Sequence, residues 1–196
     1  MRRRTFDALM VVAGLALAAV LLVAGGLLTW GHNFVTNDVR TQLVAQKIVF
    51  PPASSDAIKS LPKADAQAMS VYAGQTMTNG AQAQTYADHF IAVHLREIGG
   101  GLTYSQLSAK AMAAPTNTKL ADQVATVFKG TTLRGMLLNA YGFWQMGQIA
   151  WIGAIVAFAG AALMLILSLL GAWHLRRVPE TAEVFQRVSH PEVQTA

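Results

Sequence analysis

Charge disappears from the chain twice. The run from Ala8 to Trp30, about 23 residues, carries none, and the run from Gly135 to Leu175 extends for about 41; roughly 20 apolar residues suffice to cross a bilayer as a helix. Beyond Trp30 the apolar positions Val35, Val39 and Leu43 continue at a spacing of four, and no proline intervenes before Pro51. This predicts that the first helix leaves the membrane and continues for about 27 Å at 1.5 Å per residue. Gly25, Gly26 and Gly31 are places for it to bend, and Pro51 with Pro52 is the expected stop.

Between the two runs the pattern is that of short helices. Ser54, Ser55 and Asp56 are placed to cap one that ends before Pro62, and Gly74 is placed to close an Ala-rich segment from Ala64 to Ala73. Asn79 opens the next, which carries Tyr86, Phe90, Val93 and Ile98 and meets three glycines at Gly99, Gly100 and Gly101. Thr103 stands three residues before Gln106, the spacing of a capping box, in front of a helix that ends before Pro115. A further stripe, Leu120, Val124, Val127 and Phe128, predicts a helix from about Thr118 that Gly130 stops. From Thr132 to Arg177 there is no proline, so the last of these helices is expected to merge with the second apolar run. No strand-like alternation competes.

Composition gives the same picture: 53% of residues are apolar and 13% charged, where soluble proteins carry about a quarter. The net charge of +5 does not indicate a nucleic-acid partner, because the basic residues between the apolar runs are scattered among acids and the excess lies beside the runs. Arg2, Arg3 and Arg4 precede the first, and Arg176 and Arg177 follow the second. Phosphate head groups are their natural partners, and the lipid bilayer is the first expected partner of the chain. Lys and Arg accumulate on the cytoplasmic side of spans, so both termini are expected in the cytoplasm of a plasma-membrane protein. Trp30 and Trp151 mark the outer interface and Trp173 the inner one. The basic head and apolar stretch also suit a secretory signal, but a signal core is about 7 to 15 residues long, and this stretch is longer; an uncleaved anchor is expected.

The resulting fold class is an all-α membrane protein, two transmembrane helices extended outward as an antiparallel stalk with an inserted extracytoplasmic helical domain. Its parts are a cytoplasmic N-terminus (1–7), a first span (8–30), the extracytoplasmic domain (31–148), a second span (149–172) and a cytoplasmic tail (173–196), polar and expected to be disordered.

Candidate chemistry is sparse. There is no cysteine, so disulfides and thiolate metal sites are excluded. Small residues recur at spacing four, Gly14 with Ala18 and Gly153 with Ala157 and Ala161, a pattern that lets helices approach closely in lipid and also one that common Ala and Gly produce unaided. His89 and His94 are five apart, about 140° around a regular helix, and do not share a face, whereas His94 and Glu97 do. Asp88 and Arg96 lie on one side as ordinary surface charges. No nucleophile elbow or phosphate loop is present. Neither a metal nor a cofactor is expected.

The stretches MRRRTFDAL, KIVFPPA, YADHFIAVHLREI, LRGMLLNAYGFWQMGQIA and LSLLGAWHLRR resemble a family of small actinobacterial two-span membrane proteins, over most of residues 1 to 177. Its members often carry the label of aromatic ring-opening dioxygenase. The residues speak against that label, since such an enzyme needs two histidines and a carboxylate on iron, and the helix would have to break between His89 and His94 to assemble them. The resemblance implies a plasma-membrane protein and supplies no catalytic residues. The expected function is therefore non-catalytic, an accessory subunit of a larger membrane or envelope complex, or of a homo-oligomer. The alternative is an extracytoplasmic module that binds a lipid or quinone in an apolar groove lined by Tyr86, Phe90, Tyr141, Phe143 and Trp144; an envelope lipid enzyme ranks behind both.

Overall fold

The computed structural model describes residues 3–177. Arg2, the side chain of Arg3 and the tail beyond Arg177, expected to be disordered, lie outside the described residues. Every regular element in the described part is helical: α1 (Arg3–Ala45), α2 (Asp56–Lys59), α3 (Lys63–Ser70), α4 (Gly80–Tyr86), α5 (Ala92–Ile98), α6 (Tyr104–Ala113) and α7 (Thr118–Leu175). A π-helical turn, Ala87–Ile91, links α4 to α5. Val49 and Thr76 form an isolated antiparallel bridge. The helices α1 and α7 are both long and apolar enough to cross a membrane.

Helix ends follow the chain where a residue carries its own partner. Asn79 Oδ1 accepts from the Gln82 N–H at 3.0 Å, and Thr103 with Gln106 forms the reciprocal capping box. Gly100 and Gly101 take positive φ after α5, a conformation glycine adopts without steric cost. Three expectations are corrected. The α1 helix ends at Ala45 rather than at Pro51, because Lys47 enters the left-handed region at φ 52° and its N–H closes on Val44 O. Ser55 stands at the start of α2 without capping it; its Oγ is buried and unpartnered. Gly130 does not stop a helix, since α7 runs through it from Thr118. The Leu95 side chain lies where a Cβ on Gly130 would sit, so the glycine serves close packing and not termination.

The described residues divide into two compact units, one of those up to Trp30 together with those from Trp151 on, and one of Gly31–Ala150. In the first, the two helices are antiparallel and in contact along small residues. Gly14 faces Ser168, Gly25 faces Phe158, Gly153 faces Leu28 and Gly171 faces Val11; Ala18, Ala157 and Ala161 are buried in the same seam. The remaining faces show large apolar side chains outward, among them Val12, Val20, Val156 and Leu169. Such outward apolar faces suit helices long and apolar enough to lie in a bilayer.

In the second unit, α2 to α5 fold against the parts of α1 and α7 within it. The core joins Val39 and Leu43, Phe50, Ile58, Met69, Met77, Ala83, Ile91, Val93 and Leu137. Phe50, Met69 and Met77 are wholly buried. A row of tilted and edge-on aromatic contacts crosses it: Tyr72, Phe50, Tyr86, Phe90 and His94 meet in sequence at centroid distances of 5.4, 5.3, 4.9 and 4.4 Å. Gly80 lets the start of α4 approach α7 closely, where a Cβ would come within 2.8 Å of Trp144 Cγ and 3.0 Å of Tyr141 Cα.

Candidate interaction groove

The second unit is closed on one side only. Where α1 and α7 present their other faces, a groove of ≈ 570 Å³ lies between them. Its α7 wall is built from Leu133, Met136, Ala140 and Phe143, spaced three, four and three, which puts them on one stripe of the helix. Its α1 wall carries Phe34, Val35, Asp38 and Gln42. Phe34, Met136 and Phe143 are about 60% exposed (61, 63 and 59%). The Gln42 amide donates to Asp38 Oδ2 at 2.8 Å, so this carboxylate is held on the groove wall at the i, i+4 spacing of a helix. Asn139 and Gln46 add neutral polar groups.

This is a different set from the five aromatics expected to share a groove. Phe143 alone among them lines it. Tyr86, Phe90 and Trp144 pack against the core, and Tyr141 is half-buried beside Trp144, ring centroids 6.4 Å apart. Of the other anticipated residues, Gly14, Ala18, Gly153, Ala157 and Ala161 meet in the helix seam described above. Trp30, Trp151 and Trp173 are exposed on their helices, Arg4 and Arg176 are exposed, and the Arg177 guanidinium stacks 4.1 Å above the Trp173 ring.

Three histidines, His32, His89 and His94, each hold a separate partner. His32 Nδ1 lies 2.8 Å from Gly147 O, His94 Nδ1 2.8 Å from Phe90 O, and His89 Nδ1 2.7 Å from Asp65 Oδ1 of α3. Among the described residues no three His, Asp or Glu side chains are grouped to hold a metal ion.

The π turn gathers residues that the chain alone left scattered. Asp88, expected to be an ordinary surface charge, pairs with Arg134 of α7 at 2.7 Å, and Arg134 Nε also donates to Ala87 O at 3.3 Å. The widened turn, in which the Ala92 N–H reaches Ala87 O, is thus gripped from α7 by Arg134 and from α3 by Asp65. Burial raises the Tyr86 phenol, one residue before the turn, above its ordinary value. Gln82 is almost wholly buried and satisfied: its Oε1 accepts from Thr78 N and Oγ1 at 2.7 and 3.1 Å, and its Nε2 donates to Gln75.

Family models, curated proteins and solved structures give no match to the chain.

Proposed function

We propose that this chain is a non-catalytic accessory subunit of a membrane complex, anchored by two spans with both termini in the cytoplasm. Its central unit stands outside on an antiparallel stalk and receives a helix of a partner protein in the groove between α1 and α7. The observation that carries this reading is the exposed stripe Leu133, Met136, Ala140 and Phe143 on a unit whose own core is already filled. A 3-4-3 apolar row beside an open trough is the half-site of a helix-in-groove contact.

The magnitudes suit a hot spot and not a whole interface. Full burial of a large apolar side chain is worth about 1.5–3 kcal/mol, so covering the exposed portion of Phe34, Met136 and Phe143 contributes about 4 kcal/mol in all. Association costs at least about that much, and the rim around the groove has to supply the remainder. Photocrosslinking from Met136 in mild detergent extracts should yield one stoichiometric adduct of defined mass, and Phe143→Asp should abolish it with helix content unchanged. A monodisperse, adduct-free monomer from native membranes rejects the proposal.

A second reading has an observation of its own. The groove volume of ≈ 570 Å³ falls within the roughly 300–1,000 Å³ of small-molecule sites, and Asp38, Gln42 and Asn139 supply a few polar anchors in an apolar wall, as for a lipid or quinone. Native mass spectrometry separates the two: a retained small molecule lost in Phe143→Asp favours the ligand module.

A further inference from the structure

The first unit holds a cavity of its own. A trough of ≈ 470 Å³ lies between its two helices near the end that carries both termini. Leu17, Met164 and Leu167 wall it, with Gly14 and Ser168, in contact across the seam, also in its lining. At one end the lining turns polar, with Asp7 and His174. Asp7 Oδ2 is buried there and has no hydrogen-bond partner. A carboxylate oxygen withdrawn from water without a donor is strongly disfavoured, and an ionisable group at the edge of a membrane span points to a bound partner of complementary charge.

We propose that this trough seats one phospholipid with a primary ammonium head, such as phosphatidylethanolamine, in the leaflet on the side of the termini. The ammonium donates to the Asp7 carboxylate, and one acyl chain lies along Leu17, Met164 and Leu167 over Gly14. The phosphate faces Arg176 and Arg177, both exposed just past the end of α7. The pattern of one acid amid several arginines matches a head group that carries both signs. A choline head carries no N–H to donate, and a glycerol head brings no positive charge to Asp7. The inference rests on the membrane reading of the two long helices and is independent of any partner in the other groove.

The test uses the full chain, purified from the membrane fraction and delipidated, then mixed with equal amounts of phosphatidylethanolamine, phosphatidylcholine and phosphatidylglycerol of matched chains before native mass spectrometry. One ethanolamine lipid should remain bound, preferred about tenfold, the factor that one charged hydrogen bond supplies. Asp7→Asn should erase the preference with unchanged helical circular dichroism. Ala13→Phe, at an exposed position lining the trough, should displace the lipid by filling it. Equal retention of the three lipids, a preference for the glycerol head, or an unaffected Asp7→Asn variant overturns the proposal. Absence of the chain from the membrane fraction instead overturns the membrane reading beneath it.

Discussion

Replacing Gly80 with Ala and Gly135 with Ala should move stability in opposite directions, although both positions are helical and the new side chain is the same. At Gly135 an added Cβ meets nothing within 4 Å, so the variant gains the intrinsic preference of Ala over Gly, about 0.5–1 kcal/mol. At Gly80 the added carbon meets Trp144 Cβ, Trp144 Cγ at 2.8 Å and Tyr141 Cα at 3.0 Å. These are the root of a side chain and a backbone atom, not a flexible tip, so relief requires α4 to retreat from α7. Overpacking of this kind costs about 1–3 kcal/mol, while the compensating preference is at most about 1 kcal/mol at the first residue of α4. A net loss of about 1–2 kcal/mol follows, and the two variants should differ by about 2 kcal/mol. At about 2–4 °C per kcal/mol for a chain of this size, thermal melts of the detergent-solubilised protein should separate them by about 4–8 °C. Proteolysis should open first within α4 in the Gly80 variant. If Gly80→Ala melts at or above the parent temperature, the close approach of α4 to α7 is wrong.

Three further outcomes are expected. Lys47→Gly should raise the melting temperature by the equivalent of about 1 kcal/mol, since a non-glycine residue held at φ 52° costs about 1–2 kcal/mol, of which the freer unfolded chain takes back a part; an unchanged or lower melting temperature would dismiss the strain. Arg134→Met should cost about 1 kcal/mol, from a half-exposed ion pair and one carbonyl bond, and Arg134→Lys should fail to restore it because one ammonium cannot replace the two-pronged contact; hydrogen exchange at Ala92 is the readout. The phenol of Tyr86 is raised in the fold, so the folded chain keeps this proton to higher pH than the unfolded one. Its share of stability is intact below about pH 10, the unfolded value, and is lost as pH climbs through the raised folded value; urea melts between pH 8 and 11 should show a shallower alkaline decline for Tyr86→Phe than for the parent chain.

What could be read ahead of the structure divides by the range of the interaction responsible. Asn79 and the Thr103–Gln106 pair cap helices with partners three residues away, and the glycines at 99–101 need no partner. The two apolar runs appear as long helices because hydropathy is summed over many residues. Gly130 reads as a helix stop in the sequence because the reason it is glycine, the Leu95 side chain, comes from another helix. The π turn leaves no local signal on the same ground: Arg134 reaches it from 47 residues away. The groove suffered from angular resolution. Phe143 and Trp144 are adjacent in the chain yet about 100° apart around α7, and only packing tells which of them faces the core.

The π turn also bears on how insertions and deletions in this chain should be interpreted. A turn from Ala87 to Ile91 that closes on the fifth residue stores one residue more than a regular α-turn. A variant shortened by one residue there could resume an uninterrupted α ladder, keeping its helical spectrum while everything downstream rotates by about 100°. Val93 would leave the core and Leu95 its notch over Gly130. Such a loss would be silent to any measure of helix content and visible only in how α5 meets its neighbours, so the spare residue acts as a phase marker for the second half of that helical run.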